Sequence, residues 1–291
     1  MDTRARSVSR RAFIRRGTAA GLGTTALGVG GYTYGHDIEP GWVEVTRVQL
    51  ILPRLDAAFN GYRLVQISDI HMDHAMTGDR LAAIVRLVNG QWPDLVAITG
   101  DFVTYDVEEY AAALVAALSL LRPRDTAVAV LGNHDYWADA AAVRGVIRDS
   151  GLIDLGNKVH TVRRGQAQLH LAGVDDYTEH KDRLDHVLAH LPSTGTAILL
   201  AHEPDYADIS SPSGRFDLQL SGHSHGGQVC PPLLGPLVLP RYGKRYPRGL
   251  YNVGGMALYT NRGLGMLWPH VRINSRPEIT VFTLVGAGQR S

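Results

Sequence analysis

Short apolar, β-prone runs alternate with longer amphipathic segments from Tyr62 onward. The runs predict strands at residues 63–67, 95–99 and 127–131, because apolar stretches of this length and composition are typical of buried strands. The amphipathic segments predict helices over about 78–89, 107–121 and 138–150, the last of which ends before Gly151. This alternation indicates an α/β architecture.

The second half of the chain has a different pattern, with more strands and fewer helices. Apolar runs predict strands at 168–172, 196–201 and 217–220, and one helical pattern lies near 182–191. Short β-prone segments continue to Leu284. The whole pattern predicts two sheets packed together with helices on the outside.

Composition limits the class of protein. The 291 residues are 45% apolar and 20% charged, which is a globular composition and excludes a disordered, fibrous or polytopic membrane protein. The length predicts one globular domain with an appendage. Cys230 is the one cysteine of the sequence, so an intramolecular disulfide is excluded.

Charge is distributed unevenly between the N-terminus and the body. The formal net charge is +1, but residues 1–31 carry six arginines and one acidic residue, Asp2. The rest of the chain therefore has a formal charge of about −4. An acidic body argues against nucleic acid as a partner, because sequence-independent binding to phosphates needs an excess of Lys and Arg.

The N-terminus has the order of an export signal. Arg10 and Arg11, followed by Phe13 and Ile14, precede a weakly apolar stretch at 17–31, and this resembles a twin-arginine signal. A basic tail without structure is one alternative. A membrane anchor is another, although the glycines and threonines make the stretch a poor span. No clear Ala-x-Ala cleavage site follows, so removal and retention of the signal are both open.

Polar side chains follow five of the predicted strands, at the point where each strand ends. In open α/β sheets, ligands bind beyond the carboxyl ends of the strands, so these side chains are candidate site residues. They are Asp69 and His71 after the first strand, Asp101 after the second, Asn133, His134 and Asp135 after the third, His202 after the strand at 196–201, and His223 and His225 after the strand at 217–220.

The chemistry of this set indicates a metal site. Carboxylate, imidazole and amide donors without a thiolate suit divalent Mn, Fe or Zn. Flanking glycines such as Gly100 and Gly132 allow sharp backbone bends beside the ligands. Each motif alone has a structural alternative, because an isolated Asp-x-His pair can be incidental and Asn133 or Asp135 could cap a helix. The ordered combination is far more specific than any single motif.

These motifs resemble those of the calcineurin-like metallophosphoesterases. Asp69-x-His71, Gly100-Asp101, the Gly132–Asp135 segment, His202 and Gly222-His-x-His225 follow the family's order, and no metal-site position departs from it. The segments 221–228 and 262–265 are similar to an exported bacterial branch that includes calcineurin-type UDP-2,3-diacylglucosamine pyrophosphatases. The resemblance assigns residues 42–286 to the phosphoesterase domain, 1–41 to a signal or anchor with a linker, and 287–291 to a tail.

The resemblance implies a four-layer αββα sandwich of two mixed sheets flanked by helices, with two divalent metal ions. The first ion would be held by Asp69, His71, Asp101 and His225, and the second by Asp101, Asn133, His202 and His223. A water bridging both ions would supply hydroxide for in-line attack on phosphorus. His134 would neutralise the developing charge or protonate the leaving oxygen, with Asp135 as its orienting partner.

A segment after the last ligand motif bears on the substrate. Residues 230–240 are rich in leucine and proline, and the cations Arg241, Lys244 and Arg245 follow. The segment could seat an acyl chain and a phosphate, or contact an anionic membrane. The alternative is that Leu233, Leu234, Leu237 and Leu239 are core β residues and that the cations lie on a solvated turn.

The resemblance implies a hydrolase of phosphodiester or pyrophosphate bonds, acting on a phosphorylated small molecule or on a lipid-linked substrate of the cell envelope. A phosphomonoesterase is an alternative, because the metals contact only the phosphoryl group. A silent metal-binding scaffold is a third, although such relatives usually lack ligands that this chain retains. Export of the folded chain by the twin-arginine machinery would favour a metal loaded in the cytoplasm, with Mn expected first and Zn or Fe next. The expected location is the cell envelope, with or without a membrane anchor.

Overall fold

Two six-stranded sheets form the centre of the fold in residues 28–287, the part of the chain that the computed structural model describes. Sheet 1 has the order β1-β12-β2-β3-β4-β5, and sheet 2 has the order β10-β11-β9-β8-β7-β6. The strands of sheet 1 are β1 (Glu44–Leu52), β2 (Tyr62–Ile67), β3 (Leu95–Thr99), β4 (Thr126–Val130), β5 (Ile153–Asp154) and β12 (Glu278–Gly286). Those of sheet 2 are β6 (Lys158–Arg164), β7 (Ala167–Gly173), β8 (Thr196–Leu200), β9 (Leu218–Ser221), β10 (Gly249–Val253) and β11 (Met256–Thr260).

Both sheets are mixed, as expected. In sheet 1, β2 to β5 are parallel neighbours, whereas β12 runs antiparallel to β2 and parallel to β1. In sheet 2, β7, β8, β9 and β11 are parallel, and hairpins join β6 to β7 and β10 to β11. The central strands β3 and β8 are buried along their whole length, which explains why each is apolar apart from one threonine.

Helices cover the outer faces of the sheets. After β1, the α-helices are α1 (Gly78–Asn89), α2 (Val107–Leu118), α3 (Asn133–Ala138), α4 (Ala140–Asp149), α5 (Leu184–His190) and α6 (Ala207–Ser210). One core packs sheet 1 against α1, α2 and α4, a second lies between the sheets, and a third packs sheet 2 against α5. This order of layers confirms the four-layer αββα sandwich.

The predicted helix over 138–150 is confirmed to within two residues at its start and one at its end, because α4 runs from Ala140 to Asp149. Asp139 has an extended backbone (φ −167°, ψ 100°), and its carboxylate accepts hydrogen bonds from the amides of Ala141 and Ala142. It therefore acts as the N-cap of α4, and the preceding turn, α3, begins earlier, at Asn133. The predictions for β3 and α1 agree with the structure to the residue.

The N-terminal part of the described chain is helical at residues 28–33 and continues into a π-helical turn at Tyr34–Ile38. Between residues 28 and 287, no helix combines the length and the apolar character that crossing a membrane requires. The twin-arginine motif at Arg10 and Arg11 lies outside the described residues. The signal or anchor at 1–41 accordingly stays a prediction.

A fully buried arginine, Arg272, holds the loop that follows β11. Its guanidinium group donates hydrogen bonds to the backbone carbonyl oxygens of Arg262, Gly263, Gly265 and Ser275, at N···O distances from 2.5 to 3.2 Å. Burial lowers its pKa to about 9. The amide of Leu264 in this loop donates to the carbonyl oxygens of Ser68 and Asp69, so Arg272 also supports the end of β2.

We expect Arg272→Met to lower the free energy of unfolding by about 3 kcal/mol, because four buried carbonyl groups lose their donor. Arg124→Met is the matched control. The Arg124 side chain is 75% exposed and forms one ion pair, with Asp94, so its loss should cost less than about 1 kcal/mol. Chemical denaturation of both variants measures the difference, and equal stability would contradict the role of Arg272.

Candidate metal centre

The five polar clusters predicted from sequence meet at one place, where a hydrogen bond links the two sheets. The strands β2, β3 and β4 of sheet 1 and β8 and β9 of sheet 2 end there. Gln66 at the end of β2 links the sheets, because its Nε2 atom donates to Thr99 Oγ1 at 3.0 Å and to the Ser221 carbonyl oxygen at 2.9 Å. The carboxyl ends of parallel strands thus form a shared edge, as α/β ligand sites require.

A first group of buried donors consists of Asp69, His71 and His225. The Nε2 atoms of His71 and His225 lie 3.0 Å apart, and His225 Nε2 is 3.4 Å from Asp69 Oδ1. The Asp69 carboxylate also accepts the backbone N–H of His223, at 2.9 Å, which ties β2 to the loop after β9. These three side chains could hold one cation.

A second group consists of Asp101, His202 and His223. His202 Nε2 lies 3.2 Å from Asp101 Oδ2 and 3.2 Å from His223 Nδ1. Asn133, the fourth ligand expected here, is buried beside them at the start of α3. These residues could hold a second cation.

Asp101 lies between the two groups. Its Oδ2 atom is 3.4 Å from His71 Nε2 in the first group and 3.2 Å from His202 Nε2 in the second. Its Oδ1 atom accepts the backbone N–H of His134 at 3.0 Å, which fixes the plane of the carboxylate. The geometry therefore allows one carboxylate to contact cations in both groups.

The donors suit divalent cations. Among the described residues, the buried Oδ1 atom of Asn133 has no hydrogen-bond partner, nor do the Nδ1 atoms of His71 and His225. A buried acceptor without a partner costs about 1–3 kcal/mol, and a bound cation would remove that cost for the Asn133 oxygen. The absence of thiolates favours Mn, Fe or Zn over softer ions.

Burial and neighbouring charges set the protonation states of the buried donors. Burial alone raises the pKa of the Asp101 carboxyl, but the His202 and His134 imidazoles outweigh it and hold that pKa well below its usual range. Burial alone lowers the pKa of His202, whereas the Asp101 carboxylate holds it well above its ordinary value. Burial, reinforced by His71, lowers the pKa of His225 well below its ordinary value. An ionised carboxylate and a neutral imidazole are the protonation states that bind metal, so the lowered pKa values of Asp101 and His225 favour a cation, whereas a cation at His202 must displace the proton that Asp101 stabilises there.

Backbone carbonyl groups orient two of the imidazoles. His202 Nδ1 is 2.7 Å from the Thr99 carbonyl oxygen, and His223 Nε2 is 2.7 Å from that of Arg241. Because a carbonyl oxygen only accepts, each of these ring nitrogens must donate, and the opposite nitrogen then faces the cluster. Sequence motifs alone do not reveal either partner.

The backbone at five of the expected ligands is in the left-handed region, with φ between 46° and 69° at Asp69, His71, Asp101, His223 and His225. Non-glycine residues in this region cost about 1 kcal/mol or more each, and they persist where the surroundings fix them. Here the amide of Asp69 donates to the Gly100 carbonyl oxygen and that of His71 to the Asp101 carbonyl oxygen, both at 3.0 Å. The fold thus tolerates strained backbone conformations that direct these side chains inward.

Gly132 is required by close packing rather than by its backbone angles. A Cβ atom at this position would collide with Asp101 Oδ1 and would lie 2.7 Å from His202 Nε2. No L side chain fits between these two candidate ligands. Gly100 is constrained as well, because it has φ +94° and packs against the other side of the His202 ring.

His134 lies next to the first group, and its ring centroid is 4.7 Å from that of His71. Its Nδ1 atom is 2.8 Å from the Thr104 carbonyl oxygen. Burial is the main cause that lowers the pKa of His134. His71, Asp101 and His134 also converge closely enough to share a cation, so geometry alone permits two roles for His134.

The expected orienting role of Asp135 toward His134 is corrected by the structure. The Asp135 carboxylate accepts hydrogen bonds from the backbone amides of Asp101, Phe102 and Gly132, at 2.8–3.0 Å. It therefore clamps the β3 and β4 loops together, while the Thr104 carbonyl group orients the His134 ring. A carboxylate three residues into a helix commonly caps the first turn in this way.

Buried Asp73 and half-buried His270 form a pair beside this network that no sequence motif indicates. Asp73 Oδ2 lies 3.3 Å from Thr104 Oγ1 and 3.2 Å from His270 Nε2. Thr104 orients His134 through its carbonyl group, and the hydrogen bond from the Thr104 hydroxyl group to Asp73 helps to hold Thr104 in place. The two residues are 197 positions apart, so no local pattern connects them.

The segment that carries Arg241, Lys244 and Arg245 lies next to the two groups of buried donors and contacts them through its backbone. Asp205, just after His202, accepts hydrogen bonds from the amides of Lys244 and Arg245 at 3.1–3.2 Å. The side chains of Arg241, Lys244 and Arg245 are exposed, and Arg245 forms an ion pair with Asp208 at 2.6 Å.

The core alternative for the preceding leucines is wrong. Leu233, Leu234 and Leu237 are exposed, and Leu239 is half-buried and outside any strand. Turn and extended segments replace the expected β structure, because Pro231, Pro232, Pro236 and Pro240 cannot donate to a sheet ladder.

Comparison with known proteins agrees with this site. The sequence profile of one family, described as calcineurin-like phosphoesterase, matches residues 62–227. An uncharacterized metallophosphoesterase of Bacillus subtilis, YkuE, is 34% identical over 283 residues, which cover 96% of this chain and 98% of the relative. The phosphodiesterase YaeI of Escherichia coli is 31% identical over 282 residues, covering 96% of this chain and all of the relative (100%).

Solved structures are more distant in sequence. A 5′-nucleotidase precursor from Thermus thermophilus aligns with a TM-score of 0.44 and 12% identity. The alignment covers 76% of this chain and 54% of the nucleotidase, so the chain spans about half the length of that protein.

We expect Gly132→Ala to weaken Mn²⁺ binding at least about tenfold, because the added methyl group displaces Asp101 and His202. Gly145→Ala is the matched control. Gly145 lies in α4, and the nearest atom to its added Cβ is Arg148 Nη2 at 3.6 Å, so binding should be unchanged. Calorimetric titration of both variants with Mn²⁺ makes the comparison, and equal affinity would rule out the packing role of Gly132.

Proposed function

This chain belongs to the calcineurin-like metallophosphoesterase family, and from that premise we propose that it hydrolyses phosphodiester or pyrophosphate bonds with two divalent metal ions. The observation that carries the proposal is the position of Asp101 between the two groups of buried donors. The relative from Escherichia coli is named a phosphodiesterase, which supports the diester as the bond type. Mn is the metal we propose first, with Zn or Fe as alternatives.

The two ions, when bound, would polarise the phosphoryl oxygens and acidify the water that attacks phosphorus in line. The protein's own residues supply the remaining functions. His134 lies beside the first group and would protonate the leaving oxygen or neutralise charge as it develops. Its Nδ1 atom is held by the Thr104 carbonyl group, so Nε2 is the atom that faces the substrate.

Two exposed aromatic rings lie next to His134. The Trp137 ring centroid is 4.5 Å from that of His134, and the Tyr105 ring centroid is 5.7 Å away. These rings would provide an apolar surface for the leaving group once its phosphate contacts the metals.

Exposed cations supply an anchor for the anionic part of the substrate. The carbonyl oxygen of Arg241 contacts His223, so the cationic segment starts at the edge of the second metal group. Arg245 is already paired with Asp208. We therefore place the anionic group of the substrate on Arg241 and Lys244 first, and a lipid-linked phosphate is the class that this surface favours.

The first test compares Asp101→Ala with His134→Ala in Mn-dependent hydrolysis of an aryl phosphodiester and of the matching monoester. Asp101→Ala should lose both Mn²⁺ binding and turnover. His134→Ala should keep Mn²⁺ and lose about 10²–10⁴-fold in turnover, as removal of a general acid does.

Exposed residues provide the matched controls, Asp149→Ala and His190→Ala, which should behave as wild type. Loss of metal in His134→Ala would make His134 a ligand rather than an acid. Faster hydrolysis of the monoester than of the diester would replace the diesterase with a phosphomonoesterase. Metal binding without turnover of either ester would favour the scaffold.

We also propose that the chain is exported by the twin-arginine route and stays at the cell envelope. The support is the order of Arg10, Arg11 and the apolar stretch in the sequence. The double substitution Arg10→Lys with Arg11→Lys should keep the protein in the cytoplasm, whereas Arg15→Lys with Arg16→Lys retains the same charge outside the pair and should be exported. Immunoblots of fractionated cells distinguish the two, and export of both variants would exclude the route.

A further inference from the structure

Large apolar side chains are exposed together on the loop at 231–240. The exposed fractions are 105% for Leu233, 75% for Leu234 and 77% for Val238, so these side chains contact almost no other part of the described chain. Trp268 is 84% exposed on the neighbouring loop. Exposed apolar groups of this size in one place mark an interaction surface.

The exposure is not the result of a loosely attached loop. The amide of Cys230 donates to the Ile273 carbonyl oxygen at 2.8 Å, and that of Leu237 donates to the Val229 carbonyl oxygen at 3.1 Å. The Gln228 side chain donates to the Leu267 carbonyl oxygen at 2.8 Å and accepts the Leu267 amide at 2.9 Å. These bonds fasten the base of the loop to the segment that carries Trp268. We call the loop at 231–240 and Trp268 the apolar surface.

The N-terminal segment leaves the domain beside the apolar surface. The Gly35 carbonyl oxygen accepts the amide of Arg272, and the Glu39 carboxylate accepts the amides of Asn274 and Ser275. The preceding residues 28–34 are all exposed. Residues 28–34 therefore join the domain at the segment 272–275, whose Ile273 carbonyl group also binds Cys230 at the base of the loop at 231–240.

Cations adjoin the apolar surface. Arg241, Lys244 and Arg248 are exposed, and none of the three forms an ion pair with another described residue. Arg248 Nη1 donates to the carbonyl oxygen of Asn274, next to the N-terminal contacts. A second copy of the chain docked symmetrically here would bring like charges together, whereas anionic lipid headgroups would neutralise them.

We propose that the apolar surface inserts into the interface of an anionic lipid bilayer, with Arg248 on the headgroups and with Arg241 and Lys244 facing phosphate groups at the bilayer surface, whether these belong to a headgroup or to a lipid-linked substrate. Leucine and tryptophan are the side chains that enter this zone most favourably, and tryptophan is enriched there. The proposal concerns attachment and does not require that the chain hydrolyses any particular ester. Since Arg241 also contacts His223 through its backbone, the attached domain holds its metal groups close to the bilayer.

Sedimentation of the full chain with vesicles tests the proposal. Wild type should bind phosphatidylglycerol–phosphatidylcholine vesicles more tightly than pure phosphatidylcholine. The double variant Leu233→Glu with Leu234→Glu should bind the anionic vesicles at least about tenfold more weakly, because it places two charges in the interface.

The control variant Ile51→Glu with Leu87→Glu makes the same change at exposed positions near the C-terminal ends of β1 and α1. It should bind as wild type does. Far-UV circular dichroism on melting shows that both variants are folded. Equal binding by the two double variants would overturn the proposal, because the N-terminal segment alone would then account for attachment.

Tryptophan fluorescence tests insertion directly. Lipids with brominated acyl chains should quench wild type, and Trp268→Phe should remove most of that quenching, while Trp92→Phe, which changes another exposed tryptophan, should not. Unchanged quenching in Trp268→Phe would contradict insertion. Vesicle-free dimerisation that is lost in the Leu233→Glu, Leu234→Glu variant would assign the surface to a second copy instead.

Discussion

The carboxylate of Asp101 is the group on which the arrangement of the metal centre depends. It is buried, it touches imidazoles from both sheets through His71 and His202, and its second oxygen is held by the amide of His134. An ionised carboxylate in such a place is tolerated only when opposite charges surround it. Among the described residues, the imidazoles of His202 and His134 stabilise the ionised carboxylate, and divalent cations would add further positive charge.

Much of the surrounding structure holds this carboxylate and its neighbours in place. Five expected ligands adopt left-handed backbone angles. Asp101 leaves no room for a side chain at Gly132, and the Asp135 carboxylate accepts hydrogen bonds from loop amides. The Arg272 guanidinium group holds the loop that contacts Asp69 by donating to its carbonyl oxygens. These strained conformations lower local stability but hold the donors rigidly, as is usual where a site must bind cations selectively.

The same loops connect the centre to the outer surface. His223 contacts the carbonyl oxygen of Arg241, and the chain before Arg241 forms the exposed leucine loop. Arg272 contacts Gly35, where the N-terminal segment joins the domain. The two donor groups, the exposed cations and the apolar surface are thus connected through neighbouring loops, and this connection is the basis for proposing a lipid-linked phosphate as the substrate class.

Sequence by itself determined the layers and the identity of the clustered residues. Hydrophobic periodicity is a local property, so it located β3 and α1, and parallel strands bring their carboxyl ends to one edge whatever the details of packing. Tertiary structure decided the rest, because each remaining feature joins distant residues. β1 pairs with β12 across more than 200 positions, Thr104 rather than Asp135 orients His134, and Asp73 contacts His270, which lies 197 positions away. The sequence does not show whether Leu233 and Leu234 are buried or exposed, because a leucine occurs in both places. Only the tertiary structure shows that they face solvent.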